Sequence, residues 1–310
     1  MSNAFPESKA KSYLRIEHYA DIMNRSRELN RNLVYFGLPS AELLDVMTWN
    51  EQLDHVFAVE RDTRIVQLML RNIIRAGLRK KTTLIEMDLL ECTKILALEE
   101  DSLSQSKLRQ QEQMMFATMR GKFFDVVNLD MYGRFLYKNS EKTNTNSEII
   151  KNIFKHQSRG GESFTLLLTY NLRDTGAEEY DRFNSAFLDE LSGAHKVEAG
   201  ELKKYYLSDK IEGHPMSVRR LRLALPMHIM DLGRNSFEIA SLRSWSYGTS
   251  SQLYHTRLNL RPRKNVGSLG VAWPPLDEIR RILSSEVVRL SENTEGTIIS
   301  SQLDAPTITL

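Results

Sequence analysis

The sequence predicts an open α/β fold, with a doubly wound, mostly parallel sheet of seven strands that ends in an antiparallel hairpin. Short apolar segments, typical of strands buried on both faces, alternate with amphipathic helical segments as far as residue 190. After that point, 237–247 and 253–260 are longer alternating segments, joined by a short connection that contains Gly248. This change of pattern predicts the terminal hairpin, and no internal repeat is visible.

Each strand and helix is predicted from its own local pattern. Short runs of apolar and β-branched residues predict five strands, at 33–36, 56–59, 82–87, 123–129 and 163–170. Apolar residues at helical spacing predict helices at 6–31, 61–76, 89–98, 147–156, 178–191, 218–230 and 276–290. Ser40 is expected to cap a helix that begins at Pro39, and Pro226 is expected to kink or break its helix.

These elements divide the chain into three parts. Residues 1–31 are predicted to form a helical extension, and 32–264 the α/β domain. A polar segment at 99–120 predicts a helical insertion outside the core, and 138–146 has the composition of a polar loop. Residues 265–310 are expected to hold a last helix, with a disordered tail from Ser291 onward.

Composition is that of an ordinary globular protein, with 41% hydrophobic and 26% charged residues and a net charge of +2. The single cysteine, Cys92, excludes a disulfide framework and a cysteine-rich zinc site within one chain, and it is interpreted as a buried residue. The seven histidines have no metal-ligand spacing, so no metal is expected. No apolar run has the length of a membrane helix and no signal-peptide core is visible, so a cytoplasmic location is expected.

Polar residues stand at the carboxyl ends of the first four predicted strands. Gly37 follows the first strand, Glu60 the second, Asp88 the third, and Asn128 and Asp130 the fourth. In an open α/β sheet this edge forms the crevice where ligands bind. A carboxylate about 20 residues beyond the first strand can accept both hydroxyl hydrogen bonds of a ribose, and such charge-assisted bonds are strong. The pattern therefore predicts a site for a ligand that contains a nucleoside.

With these residues in place, residues 32–262 resemble the class I S-adenosylmethionine-dependent methyltransferases. The resemblance rests on the order and spacing of the elements, and it implies S-adenosylmethionine as cofactor. Its cofactor site would comprise Phe36, Gly37, Ser40, Glu60, Arg61, Asp88 and Leu89. Glu60 would bind the ribose and Asp88 the adenine amino group. Asp130, Asn128 and Tyr132 would form the catalytic site, with Asp130 and Asn128 holding the acceptor and Tyr132 packing against it.

The same residues have structural interpretations, which the sequence leaves open. Glu60 can start a helix, Asp88 can cap the following helix, and Gly37 can be a turn glycine. The first motif has one glycine where the family usually has two or three and lacks its acidic residue, and Met131 replaces a proline of base-amine enzymes. Because nicotinamide enzymes need a three-glycine fingerprint, an oxidoreductase is disfavoured.

A basic segment near the C-terminus predicts a surface for nucleic acid. From His214 to Lys264 the chain has nine basic and two acidic residues, a net charge of +7. Within it, cations alternate with aromatic residues that can stack on bases: Arg243, Trp245, Tyr247, Arg257, Arg261 and Arg263. In a strand, 243, 245 and 247 share one face. The alternative is a solvated hairpin whose aromatic residues belong to the core.

The sequence-based hypothesis is therefore a methyltransferase that acts on a nucleic-acid base or another amine. The alternative is a catalytically inactive methyltransferase-like scaffold that binds nucleic acid or a protein partner. RNA, DNA, a protein partner and a second copy of the chain are all candidate partners.

Overall fold

The computed structural model describes residues 9–99, 109–131, 145–171, 177–207, 216–247, 253–263, 275–293 and 297–303. The nine strands within these ranges are β1 (Leu33–Gly37), β2 (Leu53–Glu60), β3 (Thr82–Glu86), β4 (Val126–Met131), β5 (Phe164–Asn171), β6 (Phe237–Tyr247), β7 (Leu253–Pro262), β8 (Glu286–Glu292) and β9 (Ile298–Leu303). Tyr132 and residues 138–144 of the loop predicted at 138–146 lie outside the described residues, whereas Thr145 and Asn146 belong to a helix.

The helices within the same ranges are α1 (Lys9–Leu29), α2 (Leu44–Thr48), α3 (Thr63–Arg75), α4 (Leu89–Leu96), α5 (Gln110–Met119), α6 (Thr145–Ser158), α7 (Ala177–Ala194), α8 (Lys196–Leu207), α9 (Met216–Leu232) and α10 (Leu276–Leu283). A short 3₁₀ turn, Asn50–Gln52, precedes β2. No helix of the described ranges combines the length and apolar character that crossing a bilayer requires.

The sheet confirms the predicted fold class. Its strand order is β3-β2-β1-β4-β5-β7-β6-β8-β9. The first five strands are parallel, and β7 runs antiparallel between β5 and β6 as the predicted hairpin requires. The chain moves from β1 outward to β3, then returns to the other side of β1 with β4. This reversal makes the carboxyl ends of β1 and β4 the switch point, where open α/β sheets bind ligands.

The described sheet has nine strands, so the expectation of seven is wrong at the C-terminal end. The helix predicted at 276–290 ends at Leu283, and β8 follows two residues later. β8 pairs in parallel with β6, and β9 pairs antiparallel with β8. The disorder expected from Ser291 onward is therefore wrong for the end of β8 and for β9. Val287, Val288 and Leu290 are buried, which explains why this short segment joins the sheet.

Three helix predictions also need correction. Helix α2 begins at Leu44 and Leu43 is its N-cap, in a left-handed conformation, so Ser40 does not cap it. Helix α9 continues through Pro226 without ending there. Helix α8 was not predicted, and the insertion at 99–120 contributes α5, whose Met119 is only 1% exposed and lies in the main core.

Two hydrophobic layers enclose the sheet. On one face, helices α1, α2 and α3 pack against the strands, and on the other face α4 to α10 do so. Because side chains alternate along a strand, Tyr35 contributes to the first layer and Phe36 to the second. The same alternation on β4 sends Val126 into the first layer and Val127 into the second. Asn128 and Asp130 therefore face α1 and α2.

The glycine at the end of β1 is required by the neighbouring strand. A Cβ at Gly37 would lie 2.2 Å from the main-chain oxygen of Asn128, closer than real Cβ atoms approach. That same oxygen accepts a hydrogen bond from the N–H of Leu38 at 3.1 Å. Gly37 is thus a position of close approach between β1 and β4, and the space beside it is filled by β4.

We predict that Gly37→Ala destabilises the protein by about 1–3 kcal/mol, the usual cost of overpacking a core, because main-chain atoms of β4 have to move. The matched control is Gly200→Ala in α8, where a Cβ meets no atom within 4 Å. We expect that variant to be unchanged or more stable by up to about 1 kcal/mol. Urea unfolding measures both. Equal stabilities of the two variants would contradict the close-approach explanation.

Candidate functional site

A small cleft lies at the switch point of the sheet, between the carboxyl ends of β1 and β4 and helix α1. Its volume is about 80 Å³. Its polar lining comes from α1, from the β1–α2 connection, from α2 and from the four strands β4 to β7. These residues are Lys11, Arg15, His18, Ser40, Asp45, Asn128, Asp130, Thr169, Tyr247 and His255. Three of the predicted cofactor and catalytic residues, Ser40, Asn128 and Asp130, therefore meet in one place, together with Tyr247 of the predicted nucleic-acid surface.

Helix α1 covers the two candidate acceptor-binding residues of β4. The Lys11 ammonium donates to Asp130 Oδ2 at 2.6 Å, in a pair whose two side chains are about one-third exposed. Arg15 Nε donates to Asp45 Oδ1 at 2.5 Å, and Asn128 Nδ2 donates to Asp45 Oδ2 at 2.9 Å. Asp45 thus connects α1 to β4. Burial raises the pKa of this carboxyl, while the charge of Arg15 and its hydrogen bond act in the opposite direction.

Two buried histidines lie at the inner end of the cleft. His18 Nε2 and His255 Nε2 are 2.7 Å apart, so one imidazole donates to the other. His255 Nδ1 also forms a 2.7 Å hydrogen bond with Thr169 Oγ1. Burial lowers the pKa of both rings, that of His255 to about 3, so both are neutral at pH 7. Because both rings are neutral, the contact joins one donor and one acceptor nitrogen and places no charge in the core.

The predicted nucleoside-binding residues form a separate group along the rim of the sheet. Glu60 ends β2, and its Oε1 accepts from the main-chain N–H groups of Arg61 and Asp62 at 2.8 Å each. Asp88 is the N-cap of α4 and accepts from Leu90 N–H at 2.9 Å. The Arg61 guanidinium lies 3.7 Å from Asp88 and is largely exposed.

The structure thus gives each of these acids a local structural role. Asp88 is the helix cap that its alternative interpretation anticipated, whereas the N-cap of α3 is Asp62 and not Glu60. A carboxylate has several acceptor positions, so a capping role leaves room for further hydrogen bonds. Strand order nevertheless brings the Glu60 and Asp88 segments side by side: the N–H of Met87 donates to the Glu60 main-chain oxygen at 3.0 Å.

Two further members of the predicted cofactor set lie away from the cleft. Phe36 is fully buried in the second layer and stacks on Phe124, with ring centroids 4.6 Å apart. Leu89 is half-buried and packs against the same core. Neither residue lines the cleft. Both contribute apolar contacts beneath the rim rather than polar groups on it.

The aromatic residues of the predicted surface on β6 and β7 are buried, so the expectation that they stack on bases is wrong. Arg243, Trp245 and Tyr247 do share one face, but α1 covers it. Trp245 is fully buried and Tyr247 is 3% exposed, in a cluster with Ala10 and Leu14 of α1. The aromatic rings therefore belong to the core and are not accessible to a base.

The arginines of this segment are paired with acids. Arg243 contacts Glu17 of α1 and Glu286 of β8, each at 3.1 Å, and Arg257 pairs with Asp21 of α1. The guanidinium carbons of Arg243 and Arg257 lie 5.3 and 5.6 Å from the Trp245 ring centroid. These contacts neutralise the charge that the composition of the segment suggested.

The other two arginines of the set, at the far end of β7, are paired in the same way. Arg261 bonds Glu238, and Arg263 bonds the buried Glu278 at 2.7 Å. Glu278 also accepts the Ile239 N–H at 2.6 Å, so this group ties β6 to α10.

A larger cavity, of about 300 Å³, lies at the opposite end of the strands. Phe116, Met119, Phe123, His156 and Arg159 are among its lining residues. Glu99, the last described residue before the gap at 100–108, also lines it. Because ligands of open α/β sheets bind at the carboxyl ends of strands, we do not assign the functional site there. In the described part of the chain, no group of three His, Cys, Asp or Glu side chains could hold a metal ion.

The sequence analysis missed the contribution of α1 to the cleft. Lys11, Arg15 and His18 stand at i, i+4 and i+7, so they line one face of the helix. Glu17 and Asp21, at i and i+4, form a second polar line that meets β6 and β7. These two polar lines were a detectable signal. A helix that only covered the sheet would need neither.

A family model described as PP_RS20740-like matches residues 11–211, and the chain belongs to this family. The matched range runs from the first cleft residue of α1 to beyond β5. No curated protein matches the chain.

Several solved structures are similar in fold. One is a SAM-dependent methyltransferase from Agrobacterium tumefaciens, at 10% identity and TM-score 0.43; the match covers 79% of this chain but only 61% of that protein. An rRNA methylase from Streptococcus thermophilus has 10% identity, TM-score 0.43 and coverage of 80% and 97%. The N-methyltransferase NodS from Bradyrhizobium japonicum WM9, in complex with S-adenosyl-L-homocysteine, has 9% identity, TM-score 0.37 and coverage of 80% and 87%.

We predict that acid destabilises the protein between pH 7 and pH 5. The pKa of His255 is about 3 in the folded protein and 6.5 in the unfolded chain. The unfolded state therefore binds more protons between pH 7 and pH 5, and the free energy of unfolding decreases as the pH is lowered. One such histidine accounts for a loss of about 2 kcal/mol at pH 5. His255→Gln, whose amide can still donate to His18, should reduce the loss by about that amount in urea unfolding. An equal loss in both proteins would contradict this assignment.

Proposed function

We propose that the chain is an S-adenosylmethionine-dependent methyltransferase that acts on an amine, either a nucleic-acid base or another amine acceptor. The observation that carries the proposal is the row of acidic and amide side chains at the carboxyl ends of β3, β2 and β4, with β1 between the last two. In spatial order these are Asp88 beyond β3, Glu60 on β2, and Asn128 with Asp130 on β4. Neighbouring strands are about 4.8 Å apart, so the row has the length of a nucleoside with its substituents.

The donor and acceptor chemistry of the rim fits such a ligand, whereas the cleft fits only a small group. Its volume of about 80 Å³ is well below the roughly 300 Å³ of the smallest pockets that enclose drug-sized ligands. Gly37 adds no room, because the main chain of Asn128 occupies the space beside it. The proposal therefore assigns the nucleoside to the rim, and the acceptor amine to the cleft.

Each residue then has a defined task. Bound S-adenosylmethionine would supply a methyl group made electrophilic by its sulfonium. Glu60 accepts hydrogen bonds from the ribose hydroxyls, and Asp88 accepts one from the adenine amine. Asp130 and Asn128 accept the N–H groups of the acceptor, which fixes the direction of the nitrogen lone pair. Tyr132, outside the described residues, would pack against the acceptor.

The contact between Lys11 and Asp130 competes with the acceptor, because the ammonium holds one of the two carboxylate oxygens, Oδ2. Both side chains are about one-third exposed, and such ion pairs contribute only about 0–1 kcal/mol to stability. Replacing the Lys11 ammonium by an N–H group of the acceptor therefore has a small free-energy cost.

We expect the protein to bind S-adenosylmethionine and S-adenosyl-L-homocysteine in isothermal titration, and Glu60→Ala to weaken both by at least tenfold. Hydrogen bonds to a charged group contribute about 1.5–3 kcal/mol, which gives this factor. The matched control is Glu51→Ala, which removes an exposed acid at the other end of β2. Absence of binding at millimolar ligand to the folded protein would refute the proposal and favour a scaffold without cofactor.

We expect Asp130→Asn to reduce methyl transfer by at least tenfold while cofactor affinity stays within threefold. The assay measures transfer of a radioactive methyl group from S-adenosylmethionine to a mixture of total RNA and denatured DNA, or to polyamines. Lys11→Met removes the competing cation and should preserve transfer or raise it up to about fivefold, the rate equivalent of 1 kcal/mol. If the Asp130→Asn variant transfers methyl groups at the wild-type rate, the assignment of Asp130 to the acceptor site is wrong.

A further inference from the structure

One helix carries basic side chains that no acidic residue of its segment offsets. From Thr63 to Ile85 the chain has six basic and no acidic residues: Arg64, Arg71, Arg75, Arg79, Lys80 and Lys81. The Lys81 ammonium donates to the main-chain oxygens of Asn50 and Leu53. The other five side chains are exposed, and none of them forms an ion pair with any residue that the structure describes.

Three of these arginines form a line along α3. At 100° per residue, Arg64, Arg71 and Arg75 fall within about 40° of one another around the helix axis. With a rise of 1.5 Å per residue they span about 16 Å, and Arg79 continues the series beyond the helix end. We call Arg64, Arg71, Arg75 and Arg79 the arginine stripe. The buried Met69 and Ile73 lie on the opposite side of the helix and hold it against the sheet.

The arrangement of the exposed apolar residues distinguishes between two kinds of anionic partner. Leu68 is 41% exposed and lies on one side of the arginine stripe, whereas Leu70 and Ile74, 47% and 55% exposed, lie on the other side, about 160° and 120° away from Leu68 around the helix axis. A helix that binds a lipid surface places its apolar residues together in the middle of the exposed face, with cations at the flanks. In α3 the cations occupy the middle. This arrangement favours a polyanion whose charged groups contact the guanidinium groups directly, and it disfavours a membrane surface.

We propose that the arginine stripe binds the phosphate backbone of a nucleic acid. Guanidinium groups form two parallel hydrogen bonds with phosphate oxygens, which makes arginine the preferred side chain for this contact. One strand of a B-form duplex carries about five phosphates over 16 Å, so the stripe offers a cation to several successive phosphates. The charge is available, unlike that of the β6–β7 arginines, which is offset by Glu17, Asp21 and Glu286.

The stripe begins at the rim of the candidate active site. Helix α3 starts three residues after Glu60, and Arg64 N–H donates to the Asp62 cap at 2.8 Å. A strand held on the stripe therefore approaches the end of the sheet where the acceptor is expected. The binding of nucleic acid stands on the charge pattern alone. The further step, that the bound nucleic acid supplies the base that accepts the methyl group, rests on the proposed function.

The test is fluorescence anisotropy with a fluorescein-labelled single-stranded RNA of about 20 nucleotides, across a range of KCl concentrations. We expect Arg71→Gln/Arg75→Gln/Arg79→Gln to weaken binding by at least tenfold. The slope of log Kd against log salt should fall by about two, since each single-strand phosphate contact contributes about 0.7. The matched control, Arg27→Gln/Lys151→Gln/Lys196→Gln, removes three exposed cations from α1, α6 and α8.

Control binding within threefold of wild type, together with the loss in the stripe variant, supports the proposal. Equal weakening in both variants, wild-type binding by the stripe variant, or no RNA binding by the wild-type protein overturns it. The proposal is also overturned if the stripe variant loses binding to phosphatidylserine vesicles while its RNA binding is unchanged. Titration of the stripe variant with S-adenosylmethionine separates the two proposals. If the wild-type protein binds RNA but not S-adenosylmethionine, the proposal for the arginine stripe stands and the proposed methyltransferase function is refuted.

Discussion

The docking of α1 across one face of the sheet is the interaction on which the rest of the structure depends. Its apolar residues bury Trp245 and Tyr247, and its acids at Glu17 and Asp21 neutralise the arginines of β6 and β7. Its cations at Lys11 and Arg15 meet the acids at the strand ends. One helix therefore completes the core, balances a basic hairpin and closes the candidate acceptor cleft. The family match begins at Lys11, so the matched range includes this face of α1.

The close approach of β1 and β4 is a second constraint, and it changes how the glycine of the first motif is understood. In a glycine-rich nucleotide loop, glycine allows the ligand to come near the main chain. Here the missing Cβ of Gly37 allows the Asn128 main chain to come near instead. Because that space is filled by protein, the proposed recognition of a nucleoside would depend on side chains of the rim, with Glu60 and Asp88 as the acceptors. Under this proposal the first motif needs no second glycine for close approach of the ligand.

Local pattern was enough to predict the first five strands, the hairpin and the placement of Glu60, Asp88 and Asp130 at strand ends. Each of these depends only on short-range periodicity and on the rule that parallel strands end at one edge. Alternation also predicted correctly that Arg243, Trp245 and Tyr247 share a face. It could not show that α1 covers this face, because that contact joins residues more than 220 positions apart. The strand β8 was missed for a similar reason, since its pairing with β6 is non-local.

The same limit explains why segment charge pointed to the wrong basic surface. A net charge of +7 over 214–264 describes composition, whereas the field that a polyanion meets depends on which charges remain uncompensated after folding. The acids that offset Arg243 and Arg257 lie on α1 and β8, far away in sequence but within ion-pair distance. The α3 segment, 63–85, carries fewer cations, yet it contains no acidic residue and five of its six cations are exposed. Its smaller formal charge therefore produces the stronger candidate surface for a phosphate backbone.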